Sequence, residues 1–499
     1  MNKQLRSGLA ALALTMLGLA GARAQSPGGV SPAAWYRADA PNSLFSDAGN
    51  TVIQDGQPVQ QWNEIQGNGF NLSQANLGNR PVFSRSILQN FNPTVTFDGS
   101  NDQMFYSAPV GINVIDRASG SLYAAGKIQN VQNSGFLGFH ASMDYPGLHM
   151  FNTAGADRKL LFFTGGPGYQ GLTGDPITAN SPFTAGGAWL NGAGATAAYA
   201  GGTVSFSGER VSYSGTELQN TVINTASRDL YIGGDNNYGQ FSGQLNELLV
   251  FENRLSVDEM DRVETYLAIK YGSTFAKGTR DYKNSSSGTV WSASTNNGFH
   301  YNIAGIGKDI QGALDQRQSW STNPGQQLLI GSNAELQSTN AAHSSSLTDG
   351  QFLVWGDNGL AKTPGVALSG PGINFRFAAI WKVQQTGTIG TVRVAWPAGL
   401  TNLKLIQSSD ATIDSSDPAT DMTATQIVNG VSYNYADVSL ADGQFFTFAA
   451  FVQAPGGVVA NLLMWHKAND GVNAAGAKNI WKDMSVNGRD VTQNNNAAN

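Results

Sequence analysis

Two kinds of side-chain constellation in this sequence could do chemistry: paired carboxylates, and oxygen-rich turns able to hold a hard cation. Glycoside hydrolysis needs two carboxyl groups about 5–5.5 Å apart for retention or 6.5–9.5 Å for inversion, which on one strand means even spacing along one face. Glu247 and Glu252 stand five apart, so a regular strand turns them to opposite faces, and no E-x-D-x-E arrangement occurs. Nucleophilic triads fare no better, because no Gly-x-Ser-x-Gly elbow is present. The five histidines, His140, His149, His300, His343 and His466, show no HxxxH or HExxH spacing. For a cation, Asp98, Asn101 and Asp102 form a short turn rich in oxygen donors, with Asn246 and Glu247 as further donors on a later strand. Hard cations such as calcium take such oxygen sets. The same Asp-Gly-Ser-Asn-Asp run is also a plain turn, satisfied by side-chain bonds to its own backbone. Gly305-Ile-Gly307 lacks the third glycine and the following helix of a phosphate cradle, so tight turns and strand packing account for it.

The elements that must position these residues read as strands. Thr94–Phe97, Leu122–Ala125, Leu160–Phe163, Gly202–Phe206, Leu230–Ile232 and Leu245–Phe251 are short apolar or alternating runs separated by Gly, Asn and Asp. Their spacing predicts a two-sheet sandwich over residues 26–273. One helix is predicted after them: Ser256-Val-Asp-Glu259 is a capping box, Met260, Val263, Leu267 and Tyr271 share a face, and Gly272 is the stop. Its expected place is an end or edge of the sandwich. Residues 274–452 carry a second strand series, Thr289–Trp291, Tyr301–Asp309, Gln327–Ile330, Phe352–Gly356, Trp381–Gly387, Val392–Trp396 and Phe445–Ala449. This predicts a second β-sandwich.

An internal repeat organises the chain. Pro27-Gly-Gly-Val30 recurs as Pro455-Gly-Gly-Val458, Trp35-Tyr-Arg-Ala-Asp39 is echoed by Trp465-His-Lys-Ala-Asn469, and Trp62 and Trp481 each precede Asn-Gly by six residues. The tryptophans stand 27 positions apart in the first copy and 16 in the second, which suggests an inserted hairpin at Gln54-Asp-Gly56 with a type I′ turn. Residues 453–499 are thus expected to be a linker and the start of a second jelly roll, in a chain that is the front of a longer protein. Repetition of the tryptophans, like the positions of Trp291, Trp355 and Trp381, favours cores over sugar platforms.

Composition narrows the rest. Met1–Arg6 carries two positive charges, Gly8–Gly21 is almost wholly small and apolar, and Ala22-Arg-Ala24 is a small-x-small site. Residues 1–25 therefore read as a secretory signal, with mature chain starting near Gln25, and no later run is long enough to span a membrane. There is no cysteine, hence no disulfide, no lipid attachment at the cleavage site and no thiolate metal site. Sixty glycines and 13% charged residues fit many strands joined by tight turns. The net charge of −6 and the absence of a basic stripe exclude a nucleic-acid partner.

Several of these segments resemble the laminin-G-like, concanavalin A-like jelly-roll family: Phe97-Asp-Gly-Ser-Asn-Asp102, Tyr231-Ile-Gly-Gly234, the stretch Phe241–Ser256, and the helix ending Tyr266-Leu-Ala-Ile-Lys-Tyr-Gly272. The resemblance implies an all-β jelly roll, a glycan or protein ligand, and in some members calcium on loop carboxylates. Where the family often has Asp before Glu247, this chain has Asn246. Residues 274–452 resemble an uncharacterised domain that accompanies jelly rolls in large Bacteroidetes-type surface proteins, through Gly305-Ile-Gly-Lys-Asp309, Trp355-Gly-Asp-Asn358 and Trp381–Gly387. The expected function is a secreted or cell-surface binding and adhesion protein recognising an extracellular glycan or surface protein through jelly-roll loops. A passive stalk is the alternative, and a glycoside hydrolase of concanavalin-like fold the enzymatic one.

Overall fold

The structure, a computed structural model, describes residues 25–107, 119–140, 147–152, 158–163, 170–172, 176–190, 202–213, 229–235, 239–458, 462–468, 472–473, 480–485 and 489–492. Residues 1–24 of the predicted leader, Asn469 and Asn487-Gly488 lie outside them. The first sandwich pairs two antiparallel sheets. One runs Glu209–Tyr213, Gly202–Phe206, Pro182–Leu190, Ser119–Ile128, Ser242–Phe251, Asn92–Asp98, Val82–Gln89, with Ala34–Arg37 also on Ser242–Phe251. The other runs from Gln170–Leu172 at one edge through Ser134–His140, Asp229–Ile232 and Met104–Tyr106 to Gln61–Trp62 and Leu44–Phe45. Between them lies a core that includes Tyr36, Trp62, Leu72, Phe97, Leu122, Phe183, Leu248 and Val250. The second sandwich sets a sheet containing Tyr301–Asp309, Phe352–Asp357, Trp381–Thr386 and Phe445–Phe451 against one containing Leu329–Ser332, Thr391–Pro397 and Val431–Ser439. Trp355, Trp381, Trp396, Phe446 and Phe448 fill its core, with the Trp381 and Phe446 rings stacked at 5.6 Å.

Helix α1, Val257–Tyr271, begins as its sequence predicts, with Ser256 and Glu259 closing a capping box, and stops at Gly272 in the left-handed conformation. Its location is different from the expected edge. Every residue of Ser242–Phe251 is buried, because the strand faces the sandwich core with Leu248 and Val250 and presents Leu249 and Phe251 to a second apolar cluster. That second cluster contains Met260, Val263, Leu267 and Tyr271 of α1, and continues without a break into Tyr282, Trp291, Ile303, Leu314, Phe352 and Val354. The helix is therefore a shared layer between the two sandwiches, and the expected boundary at 273/274 falls inside one continuous core. Among the described residues no helix is long and apolar enough to cross a membrane.

Polar groups tie the junction as well. The turn of the Val82–Gln89 and Asn92–Asp98 pair carries Asn90 and Asn92, both buried. Asn90 Nδ2 donates to the Ile269 and Lys270 carbonyls at 3.1 and 3.0 Å, and Asn92 Nδ2 donates to Lys270 O at 2.9 Å. These carbonyls belong to the last turn of α1, which has no partners of its own in the helix. From the other side Gln316 Nε2 donates to Asn90 O at 3.0 Å, and Asn90 Oδ1 accepts from the Trp320 amide at 3.0 Å. At the opposite end Gly28 presses against the Arg262 carbonyl, while the Ser26 and Gly28 amides donate to Gln311 O and Gly312 O.

The Gln54-Asp-Gly56 insertion is not the expected hairpin. Only Gly56 has a positive φ, 78°, and Gln57 N–H closes on Gln54 O at 3.2 Å, a type II pattern rather than type I′. The flanking residues bridge outward, Val52 to Phe45 and Pro58 to Val82.

Candidate functional site

The five residues considered as cation ligands are not brought to one place. Asp98 pairs with Ser242 at the start of the long strand, and Asn246 and Glu247 lie four and five residues further on, roughly 13–17 Å away at strand rise. Asp98 Oδ1 accepts from the Ser100 and Asn101 amides at 2.7 and 3.2 Å, and Asp102 Oδ2 accepts from the Asp98 amide at 2.9 Å. That is the turn chemistry the sequence also allows. Burial pushes the Asp102 carboxyl up to about 6, aided by the Asp98 charge and opposed by the Asp98 amide. Asn246 Nδ2 donates to Pro93 O at 3.0 Å, beside a register shift between Leu245 and Glu247.

Glu247 is fully buried and meets donors rather than ligands. Its Oε1 accepts from Trp35 Nε1 at 2.6 Å and Tyr266 Oη at 2.8 Å. Its Oε2 accepts from Lys270 Nζ at 2.7 Å and Tyr271 Oη at 2.6 Å. Burial first, and then the Glu247 charge, hold both tyrosine hydroxyls well above the phenol range, so they stay protonated donors. Lys270 reaches on to Asp39 at 3.1 Å, which also takes Arg37 at 2.8 Å. Burial alone would raise Asp39, but Arg37 and Lys270 outweigh it and hold the carboxyl well below the usual range. Among the described residues no group of three His, Cys, Asp or Glu is placed to hold a metal ion.

This network gathers three sequence segments. Trp35, Arg37 and Asp39 come from the repeated Trp-Tyr-Arg-Ala-Asp element, Glu247 from the long closing strand, and Tyr266, Lys270 and Tyr271 from the end of α1. The register Trp35↔Leu249, Arg37↔Glu247 sets the first two side by side. Sequence reasoning singled out each segment but assigned it to packing or to calcium. Its signal for a polar node was a lysine and two tyrosines at i, i+4 and i+5 of an otherwise apolar helix face.

Arg37, Asp39 and Lys270 also form the floor of a cleft of about 730 Å³ between the sandwiches. The first sandwich supplies one wall with Phe83, Arg85 and Phe91, and the second supplies the other with Lys308, Asp315, Arg317 and Asn340. Each acid of the cleft is committed. Asp309 takes the Ser285 amide and hydroxyl and the Gly312 amide at 2.7, 2.6 and 2.8 Å, and Asp315 pairs with Arg317 at 2.7 Å. No stacking platform lies open in it, since Phe83 and Phe91 are 2% and 6% exposed. Trp35, Trp62, Trp189, Trp291, Trp355 and Trp381 are all buried in cores, as the sequence reading expected for all but Trp189 and the repeat for Trp35 and Trp62.

Fold and site define an all-β protein of two fused sandwiches with a charge-bearing cleft at their junction. Residues 259–444 match a domain of unknown function, DUF8202, a stretch that begins inside α1 and stops before the strand Phe445–Phe451. A search of curated proteins found no match. Among solved structures, the chain is similar to an arabinofuranosidase complexed with arabinofuranosyl-alpha-1,2-xylobiose, at 13% identity and a TM-score of 0.35, covering 49% of this chain and 64% of that one. It is also similar to domain 4 of AbnA, a GH43 extracellular arabinanase from Geobacillus stearothermophilus in complex with arabinotriose, at 16% identity and 0.33, covering 47% and 97%. Trypanosoma rangeli sialidase matches at 13% and 0.31, over 47% of this chain and 32% of its own.

Proposed function

We propose that this chain is an exported, cell-surface binding protein with a glycan ligand, held in the cleft between the two sandwiches. The observation that carries the reading is the state of the cleft's acids: Asp39, Asp309 and Asp315 are each tied to cations or N–H groups. A general acid must hold a proton near neutral pH, and Asp39, drawn well below the carboxylate range by Arg37 and Lys270, is the reverse. What remains is a charge-bearing cleft of mixed polar and apolar lining at a domain junction, a usual setting of a ligand site. The resemblance of residues 26–273 to laminin-G-like modules, and of the second sandwich to a companion domain of bacterial surface proteins, supports the same reading. A spacer role is the second reading, favoured by the core that fuses the sandwiches through α1.

A glycan array probed with the full mature chain tests the proposal, alongside release of reducing ends from the glycans bound. Binding that is lost on Asn340→Trp, which fills the cleft, and that proceeds without turnover is the expected result. Turnover abolished by Asp39→Asn would make the protein a hydrolase instead, and no binding on any array would leave the spacer.

A further inference from the structure

We propose that the ligand of the junction cleft is an acidic saccharide, carrying carboxylate or sulfate groups, held between Arg85 of the first sandwich and Lys308 of the second. The inference rests on the cleft reading above and adds the chemistry of the occupant. The whole chain carries a net charge of −6, yet the cleft is lined by five cationic side chains against three acidic ones. The acids are spent on partners that are themselves fixed. Asp39 serves Arg37 and Lys270, Asp309 takes the Ser285 and Gly312 donors, and Asp315 serves Arg317 and the Ser346 hydroxyl.

That leaves two cations, one on each wall, without a carboxylate partner among the described residues. Lys308 Nζ donates to the Ser346 hydroxyl at 2.9 Å, which stands between it and Asp315 Oδ1 at 3.0 Å, so the ammonium has no direct carboxylate contact. The Arg85 guanidinium lies 5.4 Å from the Phe83 ring centroid, and its residue is exposed. The backbone under Arg85 is pinned, because its amide donates to Asp55 Oδ1 at 2.6 Å where the strand pairing shifts register. A positioned guanidinium presents a planar fork that matches a carboxylate or sulfate, and an ammonium supplies a point charge beside it. Neutral sugars gain much of their hold by stacking on exposed aromatic rings. Here the aromatic side chains of the cleft, Phe83 and Phe91, are buried, so affinity has to come from charge and hydrogen bonds. An anion spanning both walls would also bridge the two sandwiches.

The test is calorimetric titration of the full mature chain with three decasaccharide probes, heparin, polygalacturonate and neutral xylan, at low and moderate salt. Heparin or polygalacturonate should bind more tightly than xylan and weaken as salt rises; heparin bound without polygalacturonate identifies sulfate as the required group, whereas polygalacturonate bound shows that carboxylate suffices. Arg85→Gln with Lys308→Gln should weaken that binding roughly a hundredfold, about tenfold for each charged hydrogen-bonding group, and flatten the salt dependence. The pair Lys482→Gln and Arg489→Gln removes the same charge outside the cleft and should leave binding unchanged. Acidic probes that bind no better than xylan, or that bind the Arg85/Lys308 variant as tightly as the parent, would overturn the proposal. Xylan bound in the cleft with neither acidic probe would sink this inference alone, whereas no saccharide bound at all would remove the glycan reading with it.

Discussion

Replacing Glu247 by Gln distinguishes a structural node from a ligand or catalytic carboxylate. The carboxylate is fully buried and faces four donors, one of them the Lys270 ammonium at 2.7 Å with only 5% of that side chain exposed. A glutamine keeps one acceptor oxygen but turns an amide nitrogen, itself a donor, toward the remaining donors. It also strips Lys270 of one of its two carboxylates. Removing one partner of a buried ion pair costs about 3–5 kcal/mol, and the surviving contact of Lys270 with Asp39 at 3.1 Å places the expected loss near the lower end, about 3 kcal/mol. Urea unfolding followed by near-ultraviolet circular dichroism is suited to it, because Trp35 Nε1 donates directly to Glu247. The partner variant Lys270→Met and the double variant complete a cycle, in which the double should be less damaging than the sum by at least about 1 kcal/mol. A loss under about 1 kcal/mol for Glu247→Gln, or strict additivity in the cycle, would refute the claim that this carboxylate is held by its donors. Stabilisation of the parent chain by added calcium that disappears in Glu247→Gln would refute it in a different way, by restoring the residue to a cation site.

Three further outcomes follow from the packing. Because α1 and its cluster join both sandwiches, residues 26–452 should melt in a single transition, and 274–452 cut away from α1 should give none; two separated transitions in the joined chain would show independent modules after all. Gly28→Ala should destabilise by more than Gly456→Ala: both glycines sit near φ +60°, a backbone cost of about 1–2 kcal/mol for alanine, but only at Gly28 does the new Cβ fall 2.5 Å from the Arg262 carbonyl carbon, and equal losses by thermal melting would contradict the docking. Asp102, raised to about 6 by burial from an unfolded value near 3.9, binds its proton more tightly when folded, so its contribution to stability declines as pH rises from about 4 through 6. Asp102→Asn should therefore gain on the parent in melting temperature between pH 4.5 and 7.5, and a constant difference across that range would mean the shift is absent.

What was legible in the sequence is what neighbouring residues determine. The strands Gly202–Phe206 and Tyr301–Asp309 have the predicted limits, and the α1 capping box and glycine stop are where Ser256, Glu259 and Gly272 put them. The junction was not legible, because it depends on partners far apart in sequence. Asn90 reads as a turn residue, yet its amide satisfies α1 carbonyls some 180 residues away. Lys270 reads as a helix-end cation suited to the dipole, yet it is buried against Glu247 and Asp39. Arg85 carried no sequence signal, and Lys308 only its place in the Gly305–Asp309 element, since what makes them notable is the lack of a direct carboxylate contact across a cleft formed by two separate sheets. The type I′ expectation at Asp55-Gly56 failed for a related reason: Asp55 is held by the Arg85 amide, a contact outside the local pattern.

The internal repeat shows the same division within one molecule. In the first copy Leu44 faces Trp62 and Trp62 faces Leu72; in the second Val472 faces Trp481 and Trp481 faces Val491. Even the Pro-Gly-Gly turns agree, with Gly28 at φ 60° and Gly456 at φ 62°. Register and turn geometry thus follow from the repeated residues themselves, as period-2 patterning and positive-φ glycines lead one to expect. Burial does not follow. Trp62 is fully buried, and Trp481 is 38% exposed with Val491 at 49% and Met464 at 52%. Trp62 and Leu72 owe their burial to the opposing sheet through Phe97, Leu122 and Leu248, and Ala34 and Trp35 to the strand Ser242–Phe251. The same local sequence therefore specifies the same three-strand pairing in both places, as the edge of a nine-stranded sheet in the first copy and as a separate sheet in the second, and among the described residues the copy that meets the long closing strand and α1 acquires a core, a buried Glu247 node and, above it, a cleft.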